Sequence, residues 1–176
     1  MKKSLEELVD LAEAHVRDYL LTKGEKELTP MWHLISRKEK SDAVVATPWG
    51  GDFEKQLAVA KVKEIAREID AEAVCFTTEC WMLDSTRIKH PGGPLPNTSW
   101  HRDRAMRNMP RPSQSPDRIE AVIIVAHDGV NTKARSLQMI RDRPGGRLIS
   151  LIDYAPGFGD SVYESWMLKG MIHPEE

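Results

Sequence analysis

The sequence is poor in the features that mark a specialised class of protein. It has only two cysteines, Cys75 and Cys80, in 176 residues, too few for a disulfide-stapled fold. They are five apart in a run that reads as one strand, so their side chains point to opposite faces and cannot bridge. Both are expected to be reduced packing residues. Phe and Tyr are scarce, with three of each. No apolar run approaches the ~20 residues a membrane-crossing helix needs. The opening MKKSLEELVD follows its lysines with acidic residues where a secretory signal would be apolar. A cytoplasmic location without membrane association is therefore expected. Net charge is also small: 25 basic against 27 acidic residues leave −2, which excludes a uniformly basic coat for nucleic acid. Phosphate-cradling loops are missing too. Gly50-Gly51, Gly92-Gly93 and Gly145-Gly146 are isolated pairs outside any Gly-x-Gly-x-x-Gly or Gly-Lys-Ser/Thr context, so nucleotide use is disfavoured and no cofactor is expected.

What is present is a clear alternation of helical and extended patterns within one domain spanning residues 1–176. Leu5, Leu8, Val9, Ala12, Val16, Tyr19 and Leu20 recur at three- and four-residue spacing, which predicts a helix over 4–22. Ser4 and Glu7 form a capping-box pattern at its start, and Gly24 stops it. MWHLIS (31–36) and AVVAT (43–47) read as a hairpin. Thr47-Pro48-Trp49-Gly50-Gly51-Asp52 is a corner with Trp49 as a partly exposed cap and Asp52 suited to an N-cap. The helix after it is to bury Phe53, Leu57, Val62, Ile65, Ala66 and Ile69. AEAVCFTTECWML (71–83) is apolar or small on both alternating faces, which marks an internal strand. Trp32 and Trp81 are assigned to the core. Residues 119–127, 133–141 and 147–153 read as three strands on short connections, an antiparallel meander. The fold class expected is α+β: a mainly antiparallel sheet of five or six strands, two helices on one face, and a long basic, proline-rich loop.

That loop, Asp84 to Arg118, is 35 residues long, well beyond the ~12–15 at which structureless connections become uncommon in compact domains. It holds six of the eleven prolines, which argues against regular structure outside a short basic stretch at 100–109. Seven basic residues (Arg87, Lys89, Arg102, Arg104, Arg107, Arg111, Arg118) face three acidic ones (Asp84, Asp103, Asp117), a charge of +4 that leaves −6 on the rest of the chain. Arginines beside Trp100 and His101 could grip an acidic protein surface, the acidic body of the chain itself, or a nucleic-acid backbone. A protein partner is favoured, with Arg87, Lys89, Trp100, Arg102, Arg104, Arg107 and Arg111 as the binding residues.

Candidates for chemistry are few. Glu79 sits mid-way along an apolar strand, where a carboxylate is expensive unless paired or used. Arg118 and Glu120 open the next strand, so Glu79, Arg118 and Glu120 are expected to cluster as an anchor for both ends of the loop. The alternative is that Glu79, Glu120 and His127 bind a divalent metal in a hydrolase or nuclease. His127-Asp128 at a strand end otherwise reads as a turn. His90, His101 and Asp103 match no standard metal spacing, and Gly159-Asp160-Ser161, followed only by His173, departs from the order of an esterase triad. Neither a metal nor a catalytic residue is assigned.

The segments ATPWGGDFEKQ (46–56), TTECWML (77–83) and RPSQSPDRIEAVIIVAHD (111–128) resemble a group of small uncharacterised proteins of bacteria and their phages. That group combines a Thr-Pro-Trp turn, a Glu-x-Trp strand and a Pro-Ser-x-x-Pro-x-Arg-x-Glu strand entry. The resemblance covers about residues 29–130 and implies a prokaryotic or phage setting. It implies no activity. The expectation is therefore a non-enzymatic accessory protein that binds a macromolecular partner, protein in preference to nucleic acid, through its basic loop.

Overall fold

A computed structural model of the chain describes residues 3–38, 42–83, 118–154, 168, 171 and 172. Those residues form one antiparallel sheet and two α-helices, an α+β architecture. The helices are α1 (Leu5–Arg17) and α2 (Asp52–Glu68), and the strands are β1 (Met31–Ser36), β2 (Ala43–Ala46), β3 (Ala71–Leu83), β4 (Arg118–His127), β5 (Thr132–Arg141) and β6 (Leu148–Asp153). In space the strands run β2-β1-β3-β4-β5-β6. The predicted hairpin, internal strand and three-strand meander are all present, and β3 and β4 are the central pair.

The helix–sheet arrangement differs from the one expected. Leu8, Val9, Ala12 and Val16 of α1 pack on Ala73, Cys75, Val122, Ile124, Ala126, Leu137 and Met139. Val59, Val62 and Ala66 of α2 pack instead with Trp32, Leu34, Val74, Phe76 and Val125, joined by Leu168, Met171 and Ile172. Adjacent residues of one strand, Val74 and Cys75, thus lie in different clusters, so the two helices cover opposite faces of the sheet and not one. The physical reason is the composition of β3 and β4. Each is apolar on both sides, and a sheet with two apolar faces leaves one in water unless both are covered.

Helix α1 begins as its capping box dictates, with Ser4 Oγ accepting from Glu7 N at 3.2 Å and the Glu7 carboxylate accepting from Ser4 N at 2.6 Å. It continues as a π-helical turn, Asp18–Thr22, and breaks at Gly24, where φ is +73°. Besides its apolar ridge it carries an acidic row that meets Arg135 of β5: Glu6 and Asp10 lie 2.8 Å from that guanidinium, and Glu13 pairs with it too. Arg17 bridges to Glu13 and donates to the Leu151 carbonyl of β6 at 2.9 Å.

In α2 the cap is Gly51 and not Asp52, which occupies the first helical position. Phe53 and Leu57 are 72% and 56% exposed, contrary to the core role expected of them. At about 100° per residue they lie roughly 120–160° around the helix from Val59. The inward stripe is Val59-Val62-Ala66, and the five-residue gap from Leu57 to Val62 places Leu57 off it. Trp32 is fully buried as expected, its indole N–H donating to Thr47 Oγ1 at 2.8 Å. Trp49 is partly buried over the strand-to-helix corner, its ring 6.2 Å from that of Phe76 and beneath the Lys55 ammonium.

Candidate functional site

Strands β3 and β4 pair without interruption until Leu83 meets Arg118. Both ends of the long excursion are therefore held at a single register position, one strand spacing apart, about 5 Å. In this register Glu79 lies opposite Val122 and Trp81 opposite Glu120. Alternation then puts Glu79, Trp81, Arg118 and Glu120 on the α1 side of the sheet, gathered at the end from which the excursion leaves.

The charges at this end are arranged around a residue that the sequence did not single out. Arg141 of β5 grips Glu120 in bidentate fashion, Nε to Oε2 at 2.8 Å and Nη2 to Oε1 at 2.6 Å, and also donates to the Gly146 carbonyl at 3.0 Å. Glu79 accepts from the backbone N–H of Leu28 at 2.8 Å, which ties the approach to β1 onto β3. Burial pushes the Glu79 carboxyl above its ordinary range, the Leu28 N–H opposes that rise, and the neighbouring Glu120 charge adds to it. Glu79, Arg118 and Glu120, the residues expected to anchor the loop, share one face at this end of the sheet, and the ion pair on Glu120 is made by Arg141. Recognising Arg141 required the β4–β5 register. Only that places its side chain beside Glu120.

Arg118 lies instead over the Trp81 ring, its guanidinium carbon 4.5 Å from the ring centroid, a cation–π contact. Trp81 is 42% exposed and not a core residue as expected. The α1 ridge covers the sheet around Cys75, Val122 and Ile124, and Trp81 lies further along β3, two residues before its last residue, Leu83. The excursion residues Arg87, Lys89, Trp100, Arg102, Arg104, Arg107 and Arg111 lie outside the described residues, as do His90, His101, Asp103, Gly159-Asp160-Ser161 and His173.

His127 does not join the two carboxylates. It pairs with Val74 at the other end of β4 and, by alternation, faces the opposite side of the sheet from Glu120. Its Nδ1 is 3.0 Å from the Asn131 carbonyl and 3.2 Å from Thr132 Oγ1. Asp128 accepts from the N–H groups of Val130 and Asn131 across a turn where Gly129 has φ of +93°. Burial raises the Asp128 carboxyl, but these backbone donors outweigh it and hold the group below its usual range. The His-Asp pair thus closes the β4–β5 turn, and the Glu79–Glu120–His127 metal set is not assembled. Among the described residues no group of three or more His, Cys, Asp or Glu is placed to hold a metal.

A second cluster escaped the sequence reading. His15 stacks on Tyr19 with ring centroids 6.3 Å apart, and His33 of β1 meets His15 edge-on at 6.0 Å, beside the π-helical turn. Burial, followed by the His15 and Lys3 charges, lowers the His33 pKa. Nothing in the spacing of positions 15 and 33 signals this contact, which depends on how α1 crosses the sheet. Comparison with protein-family models, curated proteins and solved structures finds no match to this chain.

Proposed function

We propose that the chain is a non-enzymatic accessory protein that binds a macromolecular partner through residues 87–118, a protein in preference to nucleic acid, in the cytoplasm of a bacterium or in a phage setting. The observation that carries this reading is a segment of +4 charge whose two ends are fixed at one register position, Leu83 to Arg118, on a sheet covered on both faces. The β3–β4 pairing already brings the loop's ends together, and the closure entropy it offsets grows only slowly with loop length. The carboxylates at the loop's base support a structural role. Glu120 is occupied by Arg141, and Glu79 by the Leu28 N–H.

The test is affinity capture from native cells with the full chain and with a chain lacking residues 88–110, each first shown to fold by circular dichroism and cooperative melting. The shortened chain is expected to lose a protein partner that the full chain retains. Phosphate-backbone binding should collapse between ~50 and ~200 mM salt, whereas a contact anchored by apolar and aromatic groups persists. Equal capture by both chains would refute the proposal, and capture of a nucleic acid that is held at ~50 mM salt and released by ~200 mM would refute the preference for a protein.

A further inference from the structure

We propose that the outer edge of β6 is a latent interface for a second copy of this chain, and that Arg17 of α1 keeps it closed. This goes beyond the partner-binding reading above and does not depend on it. β6 ends the sheet, and among the described residues no strand pairs with its outer side. Its sequence, LISLID, has four Leu or Ile, one charge and neither Pro nor Gly, the composition of an edge that recruits further strands. Ile149 and Ile152 are 60% and 52% exposed.

Hydrogen-bond parity tells which backbone groups face outward. Tyr154 N donates to Ser136 O at 2.8 Å, which makes Gln138–Ile152 and Ile140–Ser150 the hydrogen-bonded pairs of β5 and β6. On the other side of β5, Asp128 N donates to Asn131 O, and the same alternation turns the backbone of Leu137 toward β4. Leu151 and Asp153, opposite Met139 and Leu137, therefore direct their N–H and C=O groups away from the sheet. A second β6 laid antiparallel about a two-fold axis through Ile152 would exchange bonds between Leu151 of one copy and Asp153 of the other. It would also set Ile152 against its own counterpart as a close cross-strand pair. Leu151 and Asp153 are each other's partners about one residue, and this self-complementarity selects a second copy over an unrelated strand.

Arg17 occupies the groups that this pairing needs. Its Nη1 donates to the Leu151 carbonyl at 2.9 Å, and its Nη2 is 3.7 Å from the Asp153 carboxylate. The guanidinium thus takes an acceptor from the edge and stands where the second strand would run. Its Nε donates to Glu13 at 2.6 Å, and Glu13 is itself only 14% exposed, which holds the guanidinium in place.

The experiment is sedimentation velocity of the full chain, Arg17→Met and Arg17→Met/Ile152→Lys from about 1 μM to about 1 mM, each first shown to melt cooperatively. Met keeps the apolar stem and removes the donors. Residue-resolved amide exchange of the full chain and of Arg17→Met accompanies it. The full chain is expected to stay monomeric, with Leu151 and Asp153 exchanging faster than Ser150 and Ile152. Arg17→Met should dimerise with an affinity at least about tenfold above that of the full chain, and its Leu151 and Asp153 amides should become protected as concentration rises. Ile152→Lys in that background should restore the monomer by placing like charges opposite each other. If Arg17→Met does not fold, Arg17→Gln, shorter and uncharged, takes its place with the same expectation. A folded Arg17 variant no more associated than the full chain overturns the inference. So does a full chain already dimeric with Leu151 and Asp153 protected, or a variant dimer that survives Ile152→Lys.

Discussion

Replacing Arg141 with Ala should be among the most damaging single changes at the loop's base. The guanidinium is 12% exposed, it holds a Glu120 carboxylate that is 23% exposed through two hydrogen bonds, and it donates to the Gly146 carbonyl. Truncation removes all of these and leaves Glu120 partly buried beside Glu79. Breaking a fully buried pair costs ~3–5 kcal/mol. Partial solvent access at both groups scales this to about 2–3 kcal/mol. For a chain of this size each kcal/mol corresponds to about 2–4 °C in Tm, so a fall of roughly 4–12 °C is expected. Urea denaturation should show the loss as a lower midpoint with an unchanged slope. Glu120→Gln should cost less, because the amide oxygen keeps one acceptor for Arg141 and the neighbouring Glu79 charge still favours the guanidinium. In the Arg141→Ala/Glu120→Gln double variant the two losses should fall short of their sum by about 1 kcal/mol or more. A loss below about 0.5 kcal/mol for Arg141→Ala, the level of an exposed ion pair, would refute the view that this pair fixes the strand end.

Three further outcomes follow from the titrating groups. The His33 pKa is depressed, so the unfolded chain binds its proton at a higher pH than the folded chain. The stability contributed is present above the ordinary histidine value of ~6.5 and is lost as pH falls through the lower folded value. His33→Phe should flatten the slope of stability against pH across that window; an unchanged slope would contradict the assignment. Glu79 is displaced the other way, so its contribution is present below the ordinary carboxyl value and is lost as pH rises through the raised one. Glu79→Gln, which keeps an acceptor for Leu28 N–H, should therefore be neutral or mildly stabilising at pH 7 in a urea melt, and a large loss would show that the ionised group is needed. Burial pushes both cysteine thiols up to about 12, so Ellman's reagent at pH 8 should label Cys75 and Cys80 slowly in the native chain and fully in urea; rapid native labelling would contradict this.

Much of the fold was legible because the strands declare themselves through alternation and turn chemistry. The Asp142–Arg147 connection is an example: Pro144 and Gly145, the latter at φ +69°, close a turn in which Gly146 N donates to the Arg143 carbonyl at 2.8 Å. The two-sided apolar character of residues 71–83 was equally visible, yet its consequence, a cover on each face, differs from the one-sided packing expected. Which helix covers which face depends on the β2-β1-β3 order, a long-range property that local periodicity does not contain. The loop's base was partly legible. Glu79 stood out as a carboxylate in an apolar strand, and Arg118 and Glu120 as the opening of its neighbour. Trp81 was misassigned because alternation gives a residue's face and not how far along that face a helix reaches. The His15–His33 contact joins two elements through tertiary packing alone and had no local signal.

The central claim is that residues 87–118 bind a protein partner while the sheet serves as their mount. The most direct measurement is the dissociation constant, by titration calorimetry at about 150 mM salt, of the partner protein captured by the full chain, measured against the full chain and against the chain lacking residues 88–110. Binding that is retained by the full chain and falls by about two orders of magnitude or more in a shortened chain of unchanged fold is the expected result. Equal affinity for the two would contradict the account.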